Sequence, residues 1–250
     1  MIQVFSGLRS SSACVQTTGS QVLCLLLLSG MMRSSVALTD LDSGIQAYEA
    51  EHYAEAIVLL TPLAEQGNKE AQDLLGASYE EGKGDFAEAA RWYKKAADQE
   101  QPDALTRLGE LCEDGDGVPQ DTQKAMDYFA HAARLGNDNA QTDLGEIYAN
   151  VLNDNAQAAR YFAMAADAGN PQAQYHLGLL LLGEEGVTRD VTRAWMYLSL
   201  AATDIEDAAE SRDVLEMEMA PQDVAHARGL LADWKVRHPL TAATAAAARH

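Results

Sequence analysis

The chain has 250 residues, a formal net charge of −20 and a hydrophobic share of 47%, enough for a buried core. Alanine supplies much of that share while valine and isoleucine are scarce, which favours helix over sheet. The balance of 38 Asp and Glu against 18 Lys and Arg argues against nucleic acid or an anionic membrane surface as partner, since phosphate binding needs clustered cations. The acids read as a soluble, self-repelling surface or as a face matched to a basic partner.

Residues 1–37 stand apart from everything that follows. Val22 to Met32 is an apolar run of 11 residues, too short to cross a bilayer as a helix. Arg9 precedes it and Ser35-Val36-Ala37 follows as a small-x-small cleavage signal. The expectation is a secretory signal peptide over 1–37, cut before Leu38, with the mature chain periplasmic or secreted and no longer held at a membrane. An uncleaved anchor or plain hydrophobic tail is one alternative. A start placed upstream of the true one is another, and it would leave the protein in the cytoplasm. Cleavage removes Cys14 and Cys24, so the remaining Cys112 has no partner for an internal disulfide.

Leu41 to Gly67 is expected to form a degenerate opening unit. Ile45, Ala47 and Tyr48 give a first helix; Ala56, Leu59, Leu60, Leu63 and Ala64 give a second. Pro62 falls inside that second helix, where it costs a backbone hydrogen bond and favours a kink.

Four regular units follow. Leu75-Gly76 recurs as Leu108-Gly109, Leu144-Gly145 and Leu177-Gly178, at steps of 33, 36 and 33 residues. Ala96-Ala97 recurs as Ala132-Ala133, Ala165-Ala166 and Ala201-Ala202. A period of this size means stacked supersecondary units. Each unit predicts two helices: Ala71, Leu75, Gly76 and Tyr79 share one face of the first, and Ala89, Trp92, Tyr93, Ala96 and Ala97 share one face of the second. A glycine inside a helix costs about 1 kcal/mol against alanine, so its recurrence at one position predicts that another helix presses on the backbone there. Only the loop within a unit varies in length. Glu113-Asp114-Gly115-Asp116-Gly117 superficially suggests a calcium loop, yet the ligand spacing of an EF-hand is absent; Asp121 and Asp190 instead read as N-caps of second helices. Cys112, in the position of Tyr79 and Tyr148, reads as a buried structural thiol.

Ile205 to Met219 and Pro221 to His238 predict two further helices without the repeat motif. Leu230, Leu231 and Trp234 offer an apolar stripe, so 204–238 reads as a cap on the last unit, with a docking helix as the alternative. Residues 239–250 read as a disordered alanine-rich tail.

The pattern Ala-x-x-x-Leu-Gly-x-x-Tyr, then Gly-x-Gly-Val-x-x-Asp, then Ala-x-x-Tyr/Trp-Tyr/Phe-x-x-Ala-Ala, then Gly-Asn-x-x-Ala resembles the Sel-one-like repeats, a branch of the tetratricopeptide superfamily. The resemblance covers roughly Asp42 to Ala202, within a repeat array expected over 38–203. It implies an all-α, right-handed α-solenoid of about five helix-turn-helix repeats with a 33/36-residue period and a C-terminal helical cap. It also implies binding of proteins or peptides rather than a chemistry. Some secreted relatives staple each repeat with a disulfide, and this chain lacks that pattern.

No phosphate loop, zinc-binding His pair, nucleophile elbow or Cys-x-x-Cys is present, so no catalytic, cofactor-binding or metal residue is assigned. The leading expectation is a non-enzymatic scaffold in the cell envelope. Its displayed positions, read as lying opposite the Ala/Leu/Tyr face of the first helices, are Asp73, Ala77, Glu80, Thr106, Glu110, Glu113, Thr142, Glu146, Tyr175 and Leu179. That set suits a protein or peptide segment bearing Lys or Arg and one apolar anchor. The alternatives are an envelope enzyme of β-lactamase-like or peptidoglycan-related type, and a cytoplasmic adaptor.

Overall fold

The computed structural model describes residues 41–239, and among these every regular element is helical. The signal peptide expected over 1–37 and the tail from 240 onward lie outside the described residues. The chain forms α1 (41–49), α2 (Tyr53–Glu65), α3 (Lys69–Lys83), α4 (Phe86–Ala97), α5 (Pro102–Asp114), α6 (Thr122–Arg134), α7 (Asp138–Glu146), α8 (Asn155–Ala168), α9 (Pro171–Leu180) and α10 (Val191–Ala201). These ten pair as first and second helices of five units. A short π-helical turn, Ile147–Val151, extends α7, and α11 (Glu206–Glu218) and α12 (Pro221–Arg237) close the C-terminal end. α2 runs on through Pro62 rather than stopping there. Within the array each helix packs mainly on its neighbours in sequence, with a lesser touch of α7 on α9, whereas at the C-terminal end α12 skips α11 and packs on α10. Contacts between units are therefore nearest-neighbour, as in a solenoid.

Local sequence sets the helix boundaries. Asn68, Asn137 and Asn170 cap first helices, each side chain accepting from the backbone N–H three residues on, at 2.8, 2.9 and 3.0 Å. Asp85, Asp121, Asp154 and Asp190 cap second helices in the same way, so both aspartates expected as N-caps serve as such. Each such cap satisfies one of the orphan donors of a helix start, worth about 1 kcal/mol.

The repeated glycine is where the two helices of a unit meet. A Cβ on Gly76 would lie 2.7 Å from Tyr93 Cδ1, one on Gly109 2.7 Å from Phe129 Cδ1, and one on Gly145 2.5 Å from Phe162 Cε1. In the last unit Leu198 takes the place of the ring, 2.8 Å from such a Cβ on Gly178. Tyr93, Phe129, Phe162 and Leu198 are at most 2% exposed. The mid-helix glycine is thus required by a large side chain seated on bare backbone.

Buried glutamines tie one unit to the next. Gln72 Nε2 donates to the Ala64 carbonyl at 2.9 Å, Gln141 to Ala133 at 3.3 Å and Gln174 to Ala166 at 3.2 Å. Each reaches the end of the preceding unit's second helix, where carbonyls lack intrahelical donors. At the corresponding place in the second regular unit stands Leu105, 2% exposed.

The core divides into three apolar blocks: α1 to α4 through Trp92, α4 to α7, and α8 to α12. Tyr79 packs against the first two and Tyr148 against the last two. Cys112, 1% exposed, sits inside the middle block as a free thiol. At the C-terminal end Ala208, Leu215, Ala227 and Trp234 join the last block, with Leu230 and Leu231 packed against it. Glu216 fastens this end, accepting from Trp195 Nε1 at 2.8 Å and Arg228 Nη2 at 2.7 Å.

Replacing Gly109 by alanine forces Phe129 off its seat. Overpacking of this kind costs about 1–3 kcal/mol, so Gly109→Ala should lower the urea midpoint, and Phe129→Leu in the same chain should restore part of the loss. A midpoint unchanged by Gly109→Ala would contradict the packing.

Candidate functional site

The first helices carry four rows of side chains across the array, set by distance from the glycine. Two residues before it stand Leu74, Arg107, Asp143 and His176. One residue after it stand Ala77, Glu110, Glu146 and Leu179, and four after it Glu80, Glu113, Ala149 and Leu182. All of these are exposed or half-buried, whereas the Leu-Gly pairs themselves are buried. Three residues before the glycine stand Asp73, Thr106, Thr142 and Tyr175.

Two members of that last row correct the sequence reading, while Asp73 and Tyr175 are half-buried. Thr106 and Thr142 are 4% and 5% exposed, and their hydroxyls donate back to the Pro102 and Asp138 carbonyls at 3.1 and 2.8 Å. A residue three before the glycine lies about 60° round the helix from it, so it borders the packed face instead of opposing it. Residues two before the glycine lie about 160° away and point outward. Arg107, Asp143 and His176 were missed for that reason. The signal was present as the residue before each Leu-Gly, but its chemistry changes from unit to unit.

Of the expected positions, Asp73, Glu80, Glu110, Glu113 and Glu146 form one electrostatic field. Arg107 Nη1 donates to Glu110 Oε2 at 3.0 Å, and Tyr93 Oη donates to Glu80 Oε2 at 2.8 Å. His176 Nε2 lies 3.2 Å from Glu146 Oε1, its ring stacked on Phe162 at 5.0 Å. Burial, then the charge of Asp103, pushes Asp73 up from 3.8 to about 7. Burial, then Glu110, Glu146 and Glu113, pushes Asp143 up to about 7, against the pull of Arg107. The Asp143 Oδ2 atom is buried without a hydrogen-bond partner. Glu110 and Glu113 are raised too, first by burial. Burial opposes the charge on Arg107, but Glu110 outweighs it and holds the guanidinium protonated. One cation is therefore shared among several carboxylates that repel one another in a partly dry setting.

Tyr175 and Leu179 stand beyond this field. With Leu182 from the array and Glu210, Val214 and Leu215 from α11 they line a cleft of about 600 Å³. Val214 is 50% exposed within it. The face is thus acidic along α3 to α7, and the cleft between α9 and α11 sets apolar side chains among Arg189, Asp207, Glu210 and Glu218.

Such a face can hold cations and an apolar side chain. Among the described residues no three or more His, Cys, Asp or Glu are grouped to hold a metal ion. Burial pushes the Cys112 thiol up, away from the thiolate that nucleophilic chemistry needs.

The family model described as Sel1 repeat matches residues 69–100, 102–137, 139–170 and 171–204, more than half of the chain. Two components of the ERAD-associated E3 ubiquitin-protein ligase of Arabidopsis thaliana, HRD3B and HRD3A, are 36% identical over 95 and 84 residues. The aligned parts are 37% and 32% of this chain and span only 15% and 12% of those proteins. A Sel1 repeat protein from Oxalobacter formigenes superposes with a TM-score of 0.56 at 30% identity, covering 64% of this chain and 68% of that one. The protective antigen c5321 of uropathogenic Escherichia coli, described as displaying an SLR fold, gives 0.50 at 26% identity over 72% of this chain and 48% of its own. The α-solenoid architecture is common to both. Among the described residues no helix is long and apolar enough to cross a membrane.

The raised carboxylates have a consequence for stability. The unfolded chain releases these protons near 3.8 while the folded chain keeps them to about 7. Their contribution is present at low pH and is lost as pH rises from about 4 to about 7, because the folded state binds the extra protons. Asp143→Asn keeps the neutral shape and removes the loss. Its Tm should exceed the parent's by about 3 °C at pH 8, the difference closing towards pH 5. Equal melting curves at both pH values would refute the burial of this charge.

Proposed function

We propose that this chain, which belongs to the Sel1 repeat family, is a non-catalytic scaffold in the cell envelope that holds a basic protein or peptide segment along its first helices. The observation that carries this reading is the continuous field of Asp73, Glu80, Glu110, Glu113, Asp143 and Glu146, in which Arg107 is the central cation. Stacked helix pairs with a small rotation between units leave their first helices on a concave surface. A segment laid across it would place Lys or Arg against α3 to α7 and one apolar side chain in the cleft between α9 and α11. Carboxylates held above their usual range are destabilised as anions, so an incoming cation gains more from them than from fully solvated ones. The protein-binding role follows the family's character as an interaction module. The envelope location rests on the apolar run Val22 to Met32 and the cleavage signal after it.

The test pairs a Lys- and Arg-rich peptide carrying one leucine with the parent and with a Glu110→Lys/Glu146→Lys variant, read by fluorescence anisotropy at low and high salt. The parent should bind at least about tenfold more tightly at low salt, with the gap narrowing as salt screens the field. Equal affinities, with both proteins shown folded by circular dichroism, would overturn the acidic-face reading. Location is tested separately by fusing residues 1–37 to a reporter active only after export. An inactive fusion places the scaffold in the cytoplasm.

A further inference from the structure

A second site lies away from the acidic face, between second helices of neighbouring units. α6 and α8 flank a cleft of about 420 Å³ that Tyr148 reaches from the π-helical turn. Its chemistry is carried by Arg134, Gln157, Arg160, Tyr148, Tyr161 and Met164. The rings of Tyr148 and Tyr161 stack with centroids 5.4 Å apart and planes 13° apart, forming a flat aromatic wall. Met164, 51% exposed, adds apolar surface.

Two arginines stand together on this cleft. In a chain of net charge −20, Arg91, Arg107, Arg212 and Arg228 each sit on a carboxylate. Arg134 and Arg160 do not, nor do Arg189, Arg193 and Arg237; what sets Arg134 and Arg160 apart is that both line one cleft. Arg134 Nε donates only to the Ala130 carbonyl at 3.2 Å, and Arg160 Nη1 to Gln157 Oε1 at 3.1 Å. The repeat does not call for arginine at these positions. One junction earlier in the array they are Asp98 and Asp127, and one junction later Asp167 and Met196. Among the described residues these repeat positions bring two guanidiniums to one cleft only here, beside a stacked aromatic pair.

We infer that this cleft binds a carboxylate joined to an aromatic or aliphatic body. A planar guanidinium matches a carboxylate with two parallel hydrogen bonds, and the Tyr148–Tyr161 wall with Met164 receives the apolar part. The volume fits a small acid or one acidic-apolar pair of residues. The site is positive where the first-helix face is negative, so it is independent of the scaffold reading and takes the opposite class of ligand.

Titration calorimetry on the full chain tests it with four probes: N-acetylphenylalanine, N-acetylphenylalanine amide, inorganic phosphate, and a blocked hexapeptide with Glu beside Phe. The free acid or the hexapeptide should bind, the amide should bind at least about tenfold more weakly, and phosphate should not displace either. A tighter hexapeptide points to a protein segment as the source, and a tighter free acid to a small metabolite; each supports the site. Arg134→Gln/Arg160→Gln should remove binding, while Arg193→Gln, on α10 and away from the cleft, should leave it intact. Equal binding of acid and amide, displacement by phosphate, or full binding by the double variant would each overturn the proposal. So would the absence of binding by both carboxylate probes. Thermal melts of the variants separate loss of the site from loss of the fold.

Discussion

The whole array rests on one contact: a large side chain from the second helix of each unit, a ring in three of them, seated on the bare backbone of a first-helix glycine. Tyr93 on Gly76, Phe129 on Gly109 and Phe162 on Gly145 set how closely two helices approach. That approach explains the alanines around them, since only small side chains fit between axes so near each other. It also decides orientation. Once the glycine and its neighbours face the second helix, the residues two before and one after it must turn outward. The packing face and the display face are therefore fixed by the same contact, and the electrostatic field is built on whatever sequence the outward rows carry.

Repetition made most of this legible. Four copies of Leu-Gly and Ala-Ala in phase show which positions touch, because a constraint that recurs in one chain acts as its own comparison. The caps at Asp121 and Asp190 could be read for the same reason. Positions where units differ were harder. Thr106 and Thr142 were placed opposite the packed face by helical phase, but they border it, and each hydroxyl satisfies itself on the carbonyl one turn back without water. Arg107 and Asp143 occupy equivalent positions with opposite charge, so no consensus marks the row. The glutamine ties escaped notice because Gln72, Gln141 and Gln174 look like ordinary surface residues until the preceding helix end is placed against them.

The acidic face is costly to the folded chain. Asp73 and Asp143 are drawn out of water beside other carboxylates, with too few cations to match them. Nothing in the solenoid's packing requires charge there, since Leu74 and Ala77 occupy the same rows in the first regular unit. Residues that weaken a fold without serving its packing are expected where a surface meets something else. The cleft between α6 and α8 shows the same logic with reversed sign, two guanidiniums replacing the aspartates of a neighbouring junction.

The joint between α4 and α5 differs from its sisters in kind. Leu105 stands there in place of the tying glutamine, and Gln101 offers no side-chain cap to the helix it precedes. Three joints carry a buried glutamine tie, whereas here an apolar side chain fills that place. Apolar contact weakens on cooling while a buried hydrogen bond does not follow the same course. The array therefore carries a cold-sensitive seam near its middle. As temperature falls, the grip of α5 on α4 inside the middle block weakens more than that of a joint which also keeps a glutamine tie.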